Sequence, residues 1–315
     1  MVSNFGPEDA DDQQQNFYKP QEGLLQQGKR FLQLGRLPTK HDFNFVKLLS
    51  AGAYGGVWLA VHRDTSERVA IKVLKKKDMM DKNVVRQVMA EKNILQFARS
   101  PFLINLWCSF TTKESLYMVM EYASGGDLAA YLKMCERLPV DQARRYIAET
   151  ILAVEYIHEF GIVHRDLKPD NLVIAENGHI KLTDFGLSKV GVMNRTSVLE
   201  EHSVAGVADF KDKQRLGTPD YMAPEVITGQ GYGKAVDWWA IGIILYEFLY
   251  GAPPYSGDTV EELWDQTLNA PVEFPEDDED DEDEENRQDP YYVIPEARDL
   301  IELLLEKDPA RRLGT

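Results

Sequence analysis

Apolar and polar positions follow two different rhythms along this chain. From Phe43 they alternate. Phe43-Asn44-Phe45-Val46-Lys47-Leu48-Leu49, Val57-Trp58-Leu59-Ala60-Val61 and Val69-Ala70-Ile71-Lys72-Val73-Leu74 are short runs separated by Gly, Asp, Thr and Ser. A two-residue period with β-branched and aromatic side chains predicts the strands of an antiparallel meander. A helix is expected over about 83–97, then two strands near 103–110 and 116–121. After Gly125-Gly126-Asp127 the period lengthens, and helices are predicted over 128–134, 140–160, 235–250, 260–269 and 296–306. The pattern divides the chain into a polar leader over 1–41, a strand-rich small lobe over 42–122 and a mostly helical large lobe over 123–315. The leader holds one helical candidate, Glu22 to Leu34, whose narrow stripe of Leu24, Leu25, Phe31 and Leu32 suits a helix resting on the domain surface.

Composition narrows the class. With 315 residues, 43% of them apolar, the chain can bury a substantial core in one large domain or two lobes. No basic region opens it, so no secretory or organellar signal is expected. The longest apolar run, Trp238 to Tyr250, is too short to span a bilayer and contains Glu247, so it reads as a buried helix rather than a membrane span. Two cysteines, Cys108 and Cys135, make neither a disulfide framework nor a zinc site and point to a cytoplasmic or nuclear compartment. The net charge of −17 argues against a nucleic-acid partner. Ten of those charges form one run, Glu276 to Glu285, within an acidic loop placed at 276–289. Like charges in a row repel and cannot form a core, so a solvated loop is the simpler reading and a docking strip for a basic partner the sharper one.

The chemistry gathers in a few stretches. In His164-Arg165-Asp166-Leu167-Lys168-Pro169-Asp170-Asn171 and Asp184-Phe185-Gly186, two acids, an amide and a lysine stand where they can hold metal-bound phosphate against a hydroxyl. Between them Leu172-Val173-Ile174, Glu176-Asn177-Gly178 and Ile180-Lys181-Leu182 read as strand, turn and strand. Such a hairpin brings Asn171 and Asp184 together, both with the hard oxygen ligands that Mg²⁺ requires. Asp166 is placed to accept the proton of an attacking hydroxyl, and Lys168 to neutralise charge on a transferring phosphoryl group. Upstream, Leu49-Ser50-Ala51-Gly52-Ala53-Tyr54-Gly55-Gly56-Val57 is a glycine-rich turn that admits phosphate close to the backbone. A strand follows it where a dinucleotide fold would place a helix, which disfavours that fold. Lys72, among apolar strand residues, needs a partner, and Glu91 on the next helix is the natural one; taken singly each reads as a surface charge, but their order predicts a pair gripping the α- and β-phosphates of ATP.

The ordered set Gly52, Gly55 and Val57, Val69-Ala70-Ile71-Lys72, Glu91, His164 to Asn171, Asp184-Phe185-Gly186 and Ala223-Pro224-Glu225 resembles the eukaryotic protein kinases, from about residue 42 to the end. The resemblance implies an α+β bilobal protein kinase fold, with a small five-stranded antiparallel β lobe carrying one main helix, a large helical lobe, and an ATP cleft between. Lys168-Pro169-Asp170 and Gly217-Thr218-Pro219-Asp220-Tyr221 are similar to the serine/threonine class, and Leu187 leans toward serine as acceptor. Met118-Val119-Met120-Glu121-Tyr122, Gly178 to Thr183 and Val236-Asp237-Trp238-Trp239-Ala240 resemble the AGC group. Leu187 to Met193 and Gly229 to Lys234 are similar to the microtubule-associated and Greatwall-like branch. By the same resemblance Thr218 touches Asp166 and Lys168, and Glu225 pairs with Arg312. Adenine lies among Val57, Ala70 and Val173 with Met120 behind it and the Glu121 and Ala123 backbone at its edge, and Asp127 reaches the ribose.

The family's preference for basic residues before the acceptor maps onto Asp127, Asp170 and Glu247, since guanidinium pairs well with carboxylate. The segment from Val190 to Arg215 is a polar insert in the activation segment. Where many AGC kinases carry an activating phosphosite the chain has Gln214, so either neutral contacts order the loop or Thr196, Ser197 or Ser203 replaces it. The chain stops soon after Arg312, so the large lobe is expected to be truncated, lacking its last helix and the AGC tail, with a regulatory partner supplying the missing support. The expected activity is transfer of the ATP γ-phosphoryl group, with Mg²⁺, to serine and less often threonine of basic protein substrates. A catalytically weak scaffold or truncated ATP-binding module is the alternative, while a small-molecule phosphotransferase is disfavoured by Gly217 to Glu225, which in protein kinases receives a peptide.

Overall fold

The computed structural model describes residues 36, 38–52, 55–81, 85–186, 188–190, 217–230, 233–275 and 289–315. The leader helix, Ala53, Tyr54, Leu187, the activation-segment residues Thr196, Ser197, Ser203 and Gln214, and the acidic run lie outside them. Two compact units result: the described residues up to Arg99 with Ile104–Ala123, and Ser100–Leu103 with Ser124–Thr315.

The first unit is built on a sheet of strands β1 (Phe43–Gly52), β2 (Gly55–His62), β3 (Arg68–Lys75), β4 (Leu106–Thr111) and β5 (Ser115–Met120), paired antiparallel in the order β1-β2-β3-β5-β4. Alternation along β3 sends Val69, Ile71 and Val73 toward a core with Phe43, Ala60, Trp107, Tyr117 and Val119. Ala70 and Lys72 therefore point to the opposite face. Phe110 stacks on Tyr117 with ring centroids 4.9 Å apart, tying β4 to β5. Gly55 sits where any side chain is excluded: an added Cβ would stand 1.8 Å from the Val73 carbonyl oxygen of β3. Two helices follow β3, α1 (Lys76–Asp81) and α2 (Val85–Phe97). The first escaped the sequence reading because Lys76-Lys77-Asp78-Met79-Met80-Asp81 buries only Met79 and has no apolar period to detect.

Strand β4 begins at Leu106, not near 103 as expected. Leu103 instead bridges Leu182 in parallel, and the Leu182 N–H donates to the Phe102 carbonyl at 2.8 Å, so this short segment is drawn into the second unit.

That unit is mostly helical: α3 (Leu128–Cys135), α4 (Val140–Glu159), α5 (Pro224–Thr228), α6 (Ala235–Tyr250), α7 (Val260–Asn269) and α8 (Pro295–Leu304). Two small strand pairs join them, β6 (Ile162–Val163) with β9 (Lys189–Val190), and β7 (Leu172–Ile174) with β8 (Ile180–Leu182). Helix α6 is apolar nearly all round and runs through the core, which is why it is buried on almost every side. Its one deeply buried acid, Asp237, is 1% exposed. Among the described residues no helix is long and apolar enough to cross a membrane. Both cysteines are free, and burial pushes the Cys108 thiol up to about 12.

Near the chain's last described residues, Arg312 makes the pair expected from the resemblance. Its guanidinium donates to both Glu225 oxygens, at 2.7 and 2.9 Å, and also to the carbonyls of Ala235 and Glu306, each at 2.9 Å. The guanidinium carbon lies 5.1 Å from the centre of the Trp239 ring. With both residues under 5% exposed, the pair is stable only because every partner is present. Arg312→Leu should strand the Glu225 carboxylate and lower unfolding free energy by about 3–5 kcal/mol. Adding Glu225→Leu should recover most of that loss. Urea denaturation checks both, and equal midpoints for the wild type and the single variant would contradict the packing described.

Candidate active site

The first unit contributes a lysine held by a buried acid. Lys72 Nζ donates to Glu91 Oε1 of α2 at 2.6 Å, the glutamate side chain being 3% and the lysine 17% exposed. Lys72 faces Val57 across β2 and Met118 across β5, while Ala70 is opposite Met120. Leu49, Ser50, Ala51 and Gly52 end β1, and Gly55, Gly56 and Val57 open β2, with Gly52 opposite Gly55. Glu121 is otherwise engaged than at a ligand: its N–H donates to the Asn105 carbonyl at 2.9 Å and its Oε2 accepts from Asn105 Nδ2 at 2.6 Å. Ala123 is the last residue of this unit.

The second unit gathers Asp166, Lys168, Asn171 and Thr218. Asp166 Oδ1 accepts from the Thr218 N–H and hydroxyl, both at 3.1 Å, and Oδ2 lies 3.0 Å from Lys168 Nζ. Lys168 Nζ also donates to Thr218 Oγ1 at 2.8 Å, closing a triangle that fixes the carboxylate. Each carboxylate oxygen keeps a further lone pair for an incoming hydroxyl. Gly217 allows this closeness, since it has φ 116° and an added Cβ would meet the Arg165 carbonyl oxygen at 3.0 Å. Asn171 Nδ2 donates to the Asp166 carbonyl at 2.7 Å, which leaves the amide oxygen as the ligand face. Asp184 is exposed, with φ 60° and its Oδ1 accepting from the Gly186 N–H at 3.3 Å. An exposed carboxylate and an oriented amide oxygen fit Mg²⁺, which takes few protein ligands and completes its shell with water and phosphate.

Asp127 has a structural task that its sequence position did not disclose: its Oδ1 accepts from the Ala130 N–H at 2.7 Å and caps α3. It also bridges Val173 of β7. Asp170 is exposed in the turn Pro169–Asn171. Glu247 accepts from the Tyr221 hydroxyl at 2.7 Å. Burial pushes the Glu247 carboxyl above the usual range, the Tyr221 hydrogen bond returns part of the shift, and Asp170 and Asp220 push it further up.

Asp237 was missed as part of the site. Its carboxylate accepts from His158 Nε2 and from the backbone N–H groups of His164 and Arg165, all at 2.8 Å. The sequence signal was a lone acid inside an otherwise apolar helical run. Burial alone would raise its pKa, but the His158 hydrogen bond and charge, the His164 charge and the Arg165 N–H leave it below the usual carboxylate value.

The protein kinase domain matches residues 43–315. The probable serine/threonine protein kinase IRE of Arabidopsis thaliana is 45% identical over 290 residues, covering 87% of this chain and 24% of that protein. The RAC family serine/threonine-protein kinase homolog of Dictyostelium discoideum is 38% identical over 297 residues, 92% of this chain and 61% of its own length. The serine/threonine protein kinase ypkA of Aspergillus fumigatus is 35% identical over 297 residues, 93% and 42%. The chain thus spans between about a quarter and three fifths of these relatives. Matched by that domain from the first strand onward, the chain belongs to the protein kinase family.

Proposed function

We propose that this chain is a serine/threonine kinase of AGC type that transfers the ATP γ-phosphoryl group to hydroxyls of basic protein segments. The observation that carries the reading is the closed triangle of Asp166, Lys168 and Thr218. Asp166 orients the acceptor hydroxyl and takes its proton as the oxygen attacks phosphorus. Lys168 balances charge on the transferring group, and Lys72, steadied by Glu91, holds the α- and β-phosphates. Asn171 and Asp184 are the residues to hold Mg²⁺, which when bound neutralises charge on the phosphate oxygens. Leu49 to Val57, with Ala53 and Tyr54, and Ala70, Met120, Glu121, Ala123, Asp127 and Val173 are proposed nucleotide contacts. For Asp127 this leaves Oδ2 as the reaching atom, since Oδ1 caps α3.

A preference for Arg or Lys before the acceptor is supported by the acids Asp170, Asp220 and Glu247 around Tyr221. Membership of the Greatwall-like branch rests on Leu187 to Met193 and Gly229 to Lys234. A regulatory partner and a reducing, cytoplasmic or nuclear setting complete the proposal, the latter supported by two free thiols.

Wild type beside Asp166→Ala, assayed on an Arg-containing serine peptide, tests the reading. Turnover should fall by about 10²–10⁴-fold while ATP affinity is kept. Wild type that binds ATP and phosphorylates no basic peptide would favour a scaffold instead. Glu247 adds a pH signature. Its folded pKa is raised, so the carboxylate gains its proton above the usual range as pH falls and loses its pull on arginine. KM for an Arg peptide should rise on acidification, with Glu247→Gln removing that component; an unchanged pH profile in the variant would exclude Glu247 from substrate reading.

A further inference from the structure

The hairpin of β7 and β8 carries Asn171 at one foot and Asp184 just beyond the other, yet it has only three residue pairs. A two-stranded hairpin that short cannot hold itself in shape. Its feet are tied by the Thr183 N–H to the Asn171 carbonyl at 3.0 Å. Along β7, Gly125 N–H donates to the Ile174 carbonyl at 2.9 Å and Ile174 N–H to the Gly126 carbonyl at 2.8 Å. Along β8, Lys181 Nζ donates to the carbonyls of Pro101 and Leu103, at 2.8 and 3.3 Å.

The turn end is held differently, by one buried acid. Glu149 of α4, its side chain 8% exposed, accepts the Ile180 N–H on Oε2 at 2.7 Å. Its Oε1 stands 2.5 Å from Nδ1 of His179, which is 52% exposed. Helix α4 is long and packed against α6, so this contact fixes the turn end of the hairpin to the most rigid part of the unit. A carboxylate that buried is tolerable only with its partners in place, so loss of either leaves a strained connection.

We propose that Glu149 and His179 are positioning residues for the metal ligands: they set the tilt of the hairpin and with it the relation of Asn171 to Asp184. The proposal rests on the reading of those two residues as Mg²⁺ ligands. From His179 to Asp184 is five residues, about 17 Å of extended chain. A small change of tilt at the turn therefore shifts the far end by an amount that matters to an ion needing near-octahedral geometry at about 2.1 Å. Outer partners of metal ligands are worth about 10–100-fold in metal affinity.

Binding of a fluorescent ATP analogue, with and without Mg²⁺, separates this role from general damage. His179→Ala should leave metal-free binding within about twofold and raise the Mg²⁺ concentration needed to tighten it by about 10-fold. His179→Gln, which restores a donor toward Glu149, should recover most of the response. Glu149→Gln, which keeps an acceptor for the Ile180 N–H but loses the charge toward His179, should fall between the two. A wild-type Mg²⁺ response in His179→Ala, an equal loss of metal-free binding, or no gain from Gln over Ala would each overturn the proposal. Asn171→Ala serves as reference: if it keeps the wild-type response, the metal reading itself is wrong, and the proposal falls with it.

Discussion

A single carboxylate in the apolar core, that of Asp237, ties the catalytic loop to the helix that organises the large unit. Burying a charge among Trp238, Trp239 and the aliphatic side chains of α6 costs several kcal/mol unless hydrogen bonds replace the lost water. Three do so: the His158 imidazole and two consecutive backbone N–H groups, of His164 and Arg165. Those two N–H groups converge on one carboxylate only because the loop is sharply bent, and Arg165 takes φ 70° to allow it. That conformation is disfavoured for a side chain of this size, and the carboxylate offsets its cost. Asp166 follows directly, so the direction in which it points is inherited from Asp237.

His164 extends the same anchoring to the metal side. Its Nδ1 accepts from the Asp166 N–H at 3.3 Å, its Nε2 lies 3.1 Å from the Thr183 carbonyl, and its ring meets Phe185 edge-on at 5.1 Å. One imidazole thus touches the residue next to the proposed base and the residues on both sides of Asp184. Peptide-facing elements connect from the opposite direction through Gly217 and Thr218. The small unit is organised separately, with an aromatic core on one face of its sheet and Lys72 on the other, and its helix α2 contributes Glu91 to that lysine.

Much of this was legible in sequence because the decisive residues are close along the chain. Asp166, Lys168 and Asn171 span one turn, and the Asn177-Gly178 turn with alternating neighbours announces the β7–β8 hairpin. Helices α6 and α7 begin and end where the periodicity and the flanking Gly251 and Thr259 place them. What escaped depends on partners far along the chain. Nothing local tells that Asp237 serves residues more than seventy positions earlier, that Glu149 holds a hairpin turn, or that Asp127 caps a helix. Helix α1 and the late start of β4 escaped for a different reason: the first is almost wholly polar, and the second yields Leu103 to a competing pairing with Leu182. The sequence signals that were available, an acid in an apolar run and an acid on the buried face of α4, are general marks of buried charge and do not name a partner.

The dependence of the catalytic loop on Asp237 is best tested by native-state hydrogen exchange at the His164 and Arg165 amides. In the wild type both should exchange only with global unfolding, like the amides of α6. In Asp237→Asn, which can satisfy only one of the two N–H groups through its oxygen, at least one of these amides should exchange through local opening while α6 stays protected. Equal protection of both amides in the two proteins would mean that the loop is held by something other than this carboxylate.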